Sequence, residues 1–276
     1  NETLSSYLNN QIKFDKKQIF ILDIIESEIS SEFTNSLKNI QENNGLLISI
    51  DSLISLNGHI DLFFMPTFRK QDLFGSINIE KISWGWDNFL LNTKYKPINF
   101  YNKPNNLLIL TGGSDVTNLG KYFPSLIDQK IKKNINIFWV VGPYSKPHNI
   151  DDLKINNWNF INSPKYLDEL MNSTKYAITV FGVSFFELLY YGIPTVVFSP
   201  YGDKDNQELE EIRKLGIALV AKNEIDAINQ LNLLMKDEIL SKEMSNKAIN
   251  IIKQKGEILL LDKIVKIVEK KWQIHI

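Results

Sequence analysis

Apolar runs too short to be helices recur along this sequence, and most are followed by a stretch with helical spacing. QIFILDI (18–24), GLLISID (45–51), HIDLFFM (59–65) and INIEKIS (77–83) make a first group of predicted strands. NLLILTGG (106–113), INIFWVVG (135–142), YAITVFG (176–182), PTVVFS (194–199) and GIALVA (216–221) make a second. Helical patterns run from the first strand to about Asn43, then near 118–133, 164–173 and 184–191, and three amphipathic stretches close the chain. Parallel strands need a crossover, usually a helix, so the alternation predicts parallel sheets covered on both faces. The expected architecture is α/β in two lobes. The N-terminal lobe covers 1–95, a Pro- and Asn-rich linker 96–105, and the C-terminal lobe 106–256. A last helix spans 257–276.

One segment competes with this reading. FGVSFFELLYYGIPTVVFS (181–199) carries a single charge, Glu187, and is long enough for a membrane span. Gly182, Gly192 and Pro194 break it, and a central Glu costs roughly 2.5–3.5 kcal/mol to insert. Strand, turn, short helix, turn and strand fit the punctuation, so no transmembrane span is expected.

The chain has 276 residues, a net charge of −1 and no cysteine. Disulfides, thiolate metal sites and cysteine nucleophiles are thereby excluded. No stretch is rich in Lys and Arg alone, so nucleic acid is not an expected partner. No signal-peptide pattern heads the sequence, and a cytoplasmic location is expected. The first residue is Asn and not Met, so the sequence is expected to be either trimmed or one part of a longer protein.

Open parallel sheets bind ligands outside the carboxyl ends of their strands. Two such ends are rich in small residues. LTGGSD (110–115) places Gly112, Gly113 and Ser114 after a strand; VFGVSFFE (180–187) places Gly182, Val183 and Ser184 at a strand-to-helix turn. Glycine turns and helix N-termini expose backbone N–H groups that suit phosphate oxygens. A Gly-rich turn is also often only a turn. Glu187 has two readings as well. It stands three residues after Ser184, as in a capping box, or its carboxylate accepts bonds from the hydroxyl pair of a ribose.

Other chemistry is less developed. DKD (203–205) has the form of a metal-binding Asp pair, but a solvated loop is the expected reading and no metal is expected. His148, in the polar loop YSKPHNIDD, and Asp115 are further site candidates. His59 reads as a turn residue. Three scattered histidines predict no metal cluster, and TGGSD lacks the Gly-Lys-Ser/Thr of a Walker loop.

LLILTGGSD, FGVSFFELLYYGIPTVVFS and DNQELEEIRKLGIALV, in that order, resemble the C-terminal half of GT-B nucleotide-sugar enzymes. Two branches are most similar. One is the UDP-sugar hydrolases of the pseudaminic-acid pathway with their spore-coat polysaccharide relatives; the other is the peptidoglycan N-acetylglucosaminyltransferase. The resemblance implies two Rossmann-like lobes and a UDP-sugar substrate, with no cofactor. It implies phosphate contacts from Gly112, Gly113, Ser114, Gly182, Val183 and Ser184, a ribose contact from Glu187, and sugar contacts from Asn206 and Gln207. The last helix resembles one that crosses back to the N-terminal lobe.

The departures are specific. The glycine-rich loop of the family's first strand, with its Gly-His in the hydrolases, has no match, so an incomplete N-terminal lobe is expected. Asn92 stands where the hydrolases carry Arg. The resemblance therefore implies a UDP-sugar-dependent glycosyltransferase of surface polysaccharide or glycan synthesis, acting on a sugar or lipid-linked acceptor. Such an enzyme works in the cytoplasm or at the inner membrane surface. Two alternatives stay open: a UDP-sugar hydrolase, and a non-catalytic binding module whose partner domain supplies the missing loop. The catalytic base is unassigned.

Overall fold

The computed structural model describes residues 4–13, 16–25, 29–69, 74–75, 77–131, 135–145, 153, 156–162, 164 and 167–275. The chain divides into two compact units, Asn1–Leu90 with Gln254–Ile276, and Leu91–Lys253.

The first unit opens with α1 (Leu4–Gln11), β1 (Ile19–Leu22), α2 (Ser31–Glu42), β2 (Leu46–Ile50), β3 (Leu62–Met65) and β4 (Ile82–Trp84). The four strands pair in parallel in sequence order. Ser30 starts α2 by accepting the Phe33 N–H on its hydroxyl at 3.1 Å, which satisfies one of the unpaired donors of a helix N-terminus. Phe33, Leu37 and Ile40 lie on one face of α2 by their spacing and pack with Leu47 and Phe63. INIEKIS pairs over only Ile82–Trp84. The Asn78 side chain accepts the Glu80 N–H at 3.0 Å and its carbonyl accepts Lys81 N–H, so 79–81 turns as a 3₁₀ helix.

The second unit contains β5 (Asn106–Leu110), α3 (Phe123–Lys130), β6 (Asn136–Val141), β7 (Asn157–Asn162), α4 (Leu167–Asn172), β8 (Tyr176–Val180) and α5 (Val183–Tyr190). It continues through β9 (Thr195–Phe198), α6 (Asn206–Leu215), β10 (Leu219–Val220), α7 (Glu224–Lys236) and α8 (Glu238–Ile251). All six strands are parallel, in the order β10-β9-β8-β5-β6-β7. The chain winds outward from β5 through β6 to β7, returns to the other side of β5 at β8, and winds outward again. The switch point lies between β5 and β8.

Alternate residues of these strands face opposite layers. Leu107, Ile109, Ile137 and Trp139 pack with α3 and α7 through Phe123, Ile127, Ile228 and Leu231. Leu108, Leu110 and Val140 pack on the other side with Met171, Leu188 and Tyr191. β5, β8 and β9 are buried on both faces, which is why their sequences read as continuous apolar runs. The same burial accounts for the apolar segment 181–199. Among the described residues, no helix is long and apolar enough to cross a membrane.

The stretch 92–103 packs as part of the second unit. Asn172 accepts the Ile98 N–H at 3.0 Å, donates to the Lys96 carbonyl at 3.0 Å, and offers its own carbonyl to the Lys103 ammonium at 2.9 Å. Phe100 enters the core of this unit.

The chain then returns to the first unit as α9 (Gly256–Trp272). Leu260 and Val268 cover Leu46, Ile48, Leu62 and Phe64, the sheet face opposite α2. At its end the Lys271 ammonium reaches both Asp61 oxygens at 3.1 Å and the Gly45 carbonyl at 2.8 Å. Asp61 also accepts the Leu47 N–H at 2.9 Å, so this half-buried pair joins helix to sheet.

Candidate nucleotide-sugar site

β5 and β8 are neighbours at the switch point, with Leu110 opposite Thr179. The chain therefore leaves both strands side by side, and the two small-residue corners face one cleft of about 270 Å³. Thr111, Gly112, Gly113 and Ser114 line it from the first corner. Gly182, Val183 and Ser184 line it from the second, and Pro200 and Tyr201 border it. Six of the candidate phosphate contacts are thus brought together.

The first corner is shaped by two glycines. Gly112 has φ +81°, a conformation that strains any side chain. Gly142, after β6, allows a close approach: a Cβ there would lie 2.3 Å from the Gly113 carbonyl oxygen and 2.5 Å from that of Gly112. The Gly113 carbonyl also accepts the Tyr144 N–H at 3.0 Å. Because the peptide is trans, the Ser114 N–H points away from the 142–144 loop. Among the described residues, none accepts a backbone hydrogen bond from the Gly113 or Ser114 amide.

Asp115 is buried, with its two oxygens accepting the Leu119 and Gly120 amides at 2.9 and 2.8 Å. Its carboxylate closes the loop that leads to α3. That is a folding role, and Asp115 does not line the cleft.

The second corner is the start of α5. Gly182 is its N-cap and no side chain caps it. The Phe185 N–H donates to the Gly182 carbonyl at 3.0 Å, while the Val183 and Ser184 amides have no backbone acceptor among the described residues and carry the positive end of the helix dipole. Ser184 is the second helical residue and not the cap, so the capping box with Glu187 does not form. The Ser-x-x-Glu spacing suggested that box; the turn places the cap two residues earlier.

Glu187 sits four residues after Val183, about 6 Å along the helix axis. It lines a neighbouring cleft of about 220 Å³ with Asn92, Lys94, Tyr95, Leu167 and Asp168. Burial pushes its carboxyl pKa above the ordinary value, the Asn92 backbone opposes this through a hydrogen bond, and the Asp168 charge adds to it. Asn92 thus meets Glu187 through its main chain. Asp168 accepts the Lys94 N–H at 3.0 Å and the Tyr191 hydroxyl in a short contact. The Tyr191 oxygen in turn accepts the Tyr95 N–H at 3.4 Å. These bonds hold the 92–95 wall of the cleft. Burial, then the Asp168 bond, raises the Tyr191 pKa strongly.

The remaining candidates fall elsewhere. Asn206 lines a third cleft, of about 530 Å³, with Ser199, Asp203, Arg213 and Lys222, and donates to Asp203 at 2.8 Å. Gln207 is exposed and lines none of these clefts. Asp205 accepts the Ser199 hydroxyl at 2.5 Å. Among the described residues, no group of three or more His, Cys, Asp or Glu side chains is arranged to hold a metal ion. His59 bonds Gln41 at 2.8 Å in the turn before β3. His148 lies outside the described residues. The sequence reading missed Gly142 and the 92–95 wall. Gly142 was visible only as the glycine ending an apolar run, and of the wall only Asn92 stood out, as a departure from the hydrolases' Arg.

No protein-family model matches the sequence, and no curated protein matches it. Solved structures match its fold. MurG from Acinetobacter baumannii superposes with a TM-score of 0.65 at 16% identity, over 85% of this chain and 78% of that one. A putative UDP-N-acetylglucosamine 2-epimerase from Listeria monocytogenes gives 0.66 at 12%, over 98% and 79%. The UDP-GlcNAc 2-epimerase from Neisseria meningitidis bound to UDP-GlcNAc gives 0.63 at 14%, over 95% and 79%. The chain has a GT-B-like fold. At these identities the likeness is one of fold, and in this GT-B-like chain the doubly wound lobe is the one whose switch point carries the amide-rich cleft.

Proposed function

We propose that the second unit binds a nucleoside diphosphate sugar, with uracil as the base, and that the protein is a glycosyltransferase of glycan synthesis. One observation carries this reading: two corners with free backbone amides meet at the switch point of a doubly wound sheet. Their N–H groups and the start of α5 suit a diphosphate, and no metal is required of them. Such preorganised donors stabilise the charge that develops on UDP as the anomeric C–O bond breaks. Glu187, about one helical turn away, is proposed for the ribose hydroxyls, and the cleft that it lines for the base. Asn206 and Gln207 are proposed for the sugar, which requires the 199–207 loop to reach across from its own cleft. The UDP-GlcNAc in the Neisseria structure supports the choice of ligand.

Two of the matched structures are described as UDP-N-acetylglucosamine 2-epimerases, which favours sugar epimerisation as a second reading. Calorimetry with UDP, CDP and GDP tests the binding claim. UDP is expected to bind most tightly, and no heat with any of the three removes the proposal. UDP-sugars then separate the chemistries. UDP release only with an acceptor sugar indicates transfer, and release in water alone indicates hydrolysis. An epimer recovered by NMR without net UDP release indicates the second reading. Binding without turnover indicates a non-catalytic module.

A further inference from the structure

The switch-point cleft is lined by two threonines, Thr179 on β8 and Thr111 directly after β5, and their hydroxyls are in different states. Thr179 is 1% exposed and its hydroxyl donates to the Val180 carbonyl at 3.0 Å. Thr111 is 5% exposed, lines the same cleft, and its Oγ1 is buried without a hydrogen-bond partner. A buried hydroxyl left unsatisfied is a standing cost to the folded state, whereas valine, its apolar isostere, would carry none. Thr111 directly precedes Gly112, whose φ of +81° sends the chain around the cleft. Its side chain therefore lines the cleft at the end of β5.

From this we infer that Thr111 is a ligand-binding residue: its hydroxyl rotates about χ1 into the cleft when the site fills and donates to a phosphoryl oxygen. The rotation exchanges Oγ1 with the methyl group between staggered positions and needs no backbone movement. Charged phosphoryl oxygens are the acceptors that best compensate a desolvated donor. The inference rests on the diphosphate reading of this cleft and adds a side-chain donor to its backbone amides.

The test is Thr111→Val beside Thr111→Ser, each titrated with UDP and with uridine and each melted without ligand. The expected result has opposite signs. Thr111→Val melts at or above the wild-type temperature, because the unsatisfied hydroxyl is gone. It binds UDP about tenfold or more weakly, the size of a lost hydrogen bond to a charged acceptor. Its uridine affinity is unchanged, and Thr111→Ser keeps the wild-type UDP affinity. A valine variant that binds UDP as the wild type does overturns the inference alone. So does one that melts lower, or loses UDP and uridine affinity together, since the hydroxyl then supports the fold. A wild type that binds no UDP overturns this inference and the proposed function together.

Discussion

Gly142→Ala is the substitution whose consequence is best determined by the structure. Its methyl group would lie 2.3 Å from the Gly113 oxygen and 2.5 Å from the Gly112 oxygen, where ordinary contact begins near 3.4 Å. Relief requires a separation of about 1 Å, and both blocking atoms are main chain, so no side-chain rotation provides it. The 112–114 loop must move, or the end of β6 must. Forcing a methyl group into a packed site costs about 1–3 kcal/mol, which for a domain of this size lowers Tm by roughly 2–4 °C per kcal/mol. A shift of about 1 Å also takes the loop amides out of hydrogen-bonding range of a phosphate. Each charged bond lost weakens UDP by roughly one to two orders of magnitude. Thermal melts with and without UDP, together with calorimetry, measure both effects. Gly113→Ala is the control, since nothing lies within 4 Å of a Cβ at that position, and its melt without ligand should match the wild type. A Gly142→Ala protein with unchanged Tm and UDP affinity would refute the close approach. Lost stability with unchanged affinity would show that the loop does not touch the nucleotide.

Two further outcomes concern titrating groups. Burial holds the Glu187 carboxyl above its ordinary 4.5, so the native state keeps a proton that the unfolded chain has lost. Its contribution to stability is therefore full below pH 4.5 and is lost as pH rises through the raised value. Glu187→Gln should be no less stable than wild type at pH 7 yet bind UDP more weakly. Wild-type UDP affinity should fall as the carboxylate is protonated, while the Gln variant stays flat; parallel profiles would assign Glu187 a packing role. Burial also lowers the Lys103 ammonium to about 8 from 10.5. Between those values the unfolded chain binds more protons, so stability rises with pH, by at most about 3 kcal/mol. Chemical denaturation from pH 8 to 10 should show this rise in the wild type and its absence in Lys103→Met.

The parallel lobes were legible because β5, β8 and β9 are buried on both sides and so advertise themselves as apolar runs. β7 was not expected from sequence. Asn157 and Asn159 alternate there with Trp158 and Phe160, and such an edge strand lacks the continuous apolar run. The two glycine corners were visible as turns after strands, but their meeting depends on the Leu110–Thr179 register, which no local pattern encodes. The 92–98 wall was hidden for a similar reason. Its Pro and Asn content suits a linker, and the partners that hold it, Asp168 and Asn172, lie 74 residues away in sequence. Asn206 and Gln207 came from resemblance alone, and the structure places Asn206 in a different cleft from the glycine corners.

The return of α9 has a consequence for synthesis. Leu46, Ile48, Leu62 and Phe64 emerge from the ribosome before the second unit is made, yet the helix that shields them follows every residue of that unit. The nascent first lobe must therefore wait, half-coated and prone to stick, through some 160 codons of intervening chain. A stop codon at Gln254 would strand it in that condition, so residues beyond the second unit govern the solubility of the first.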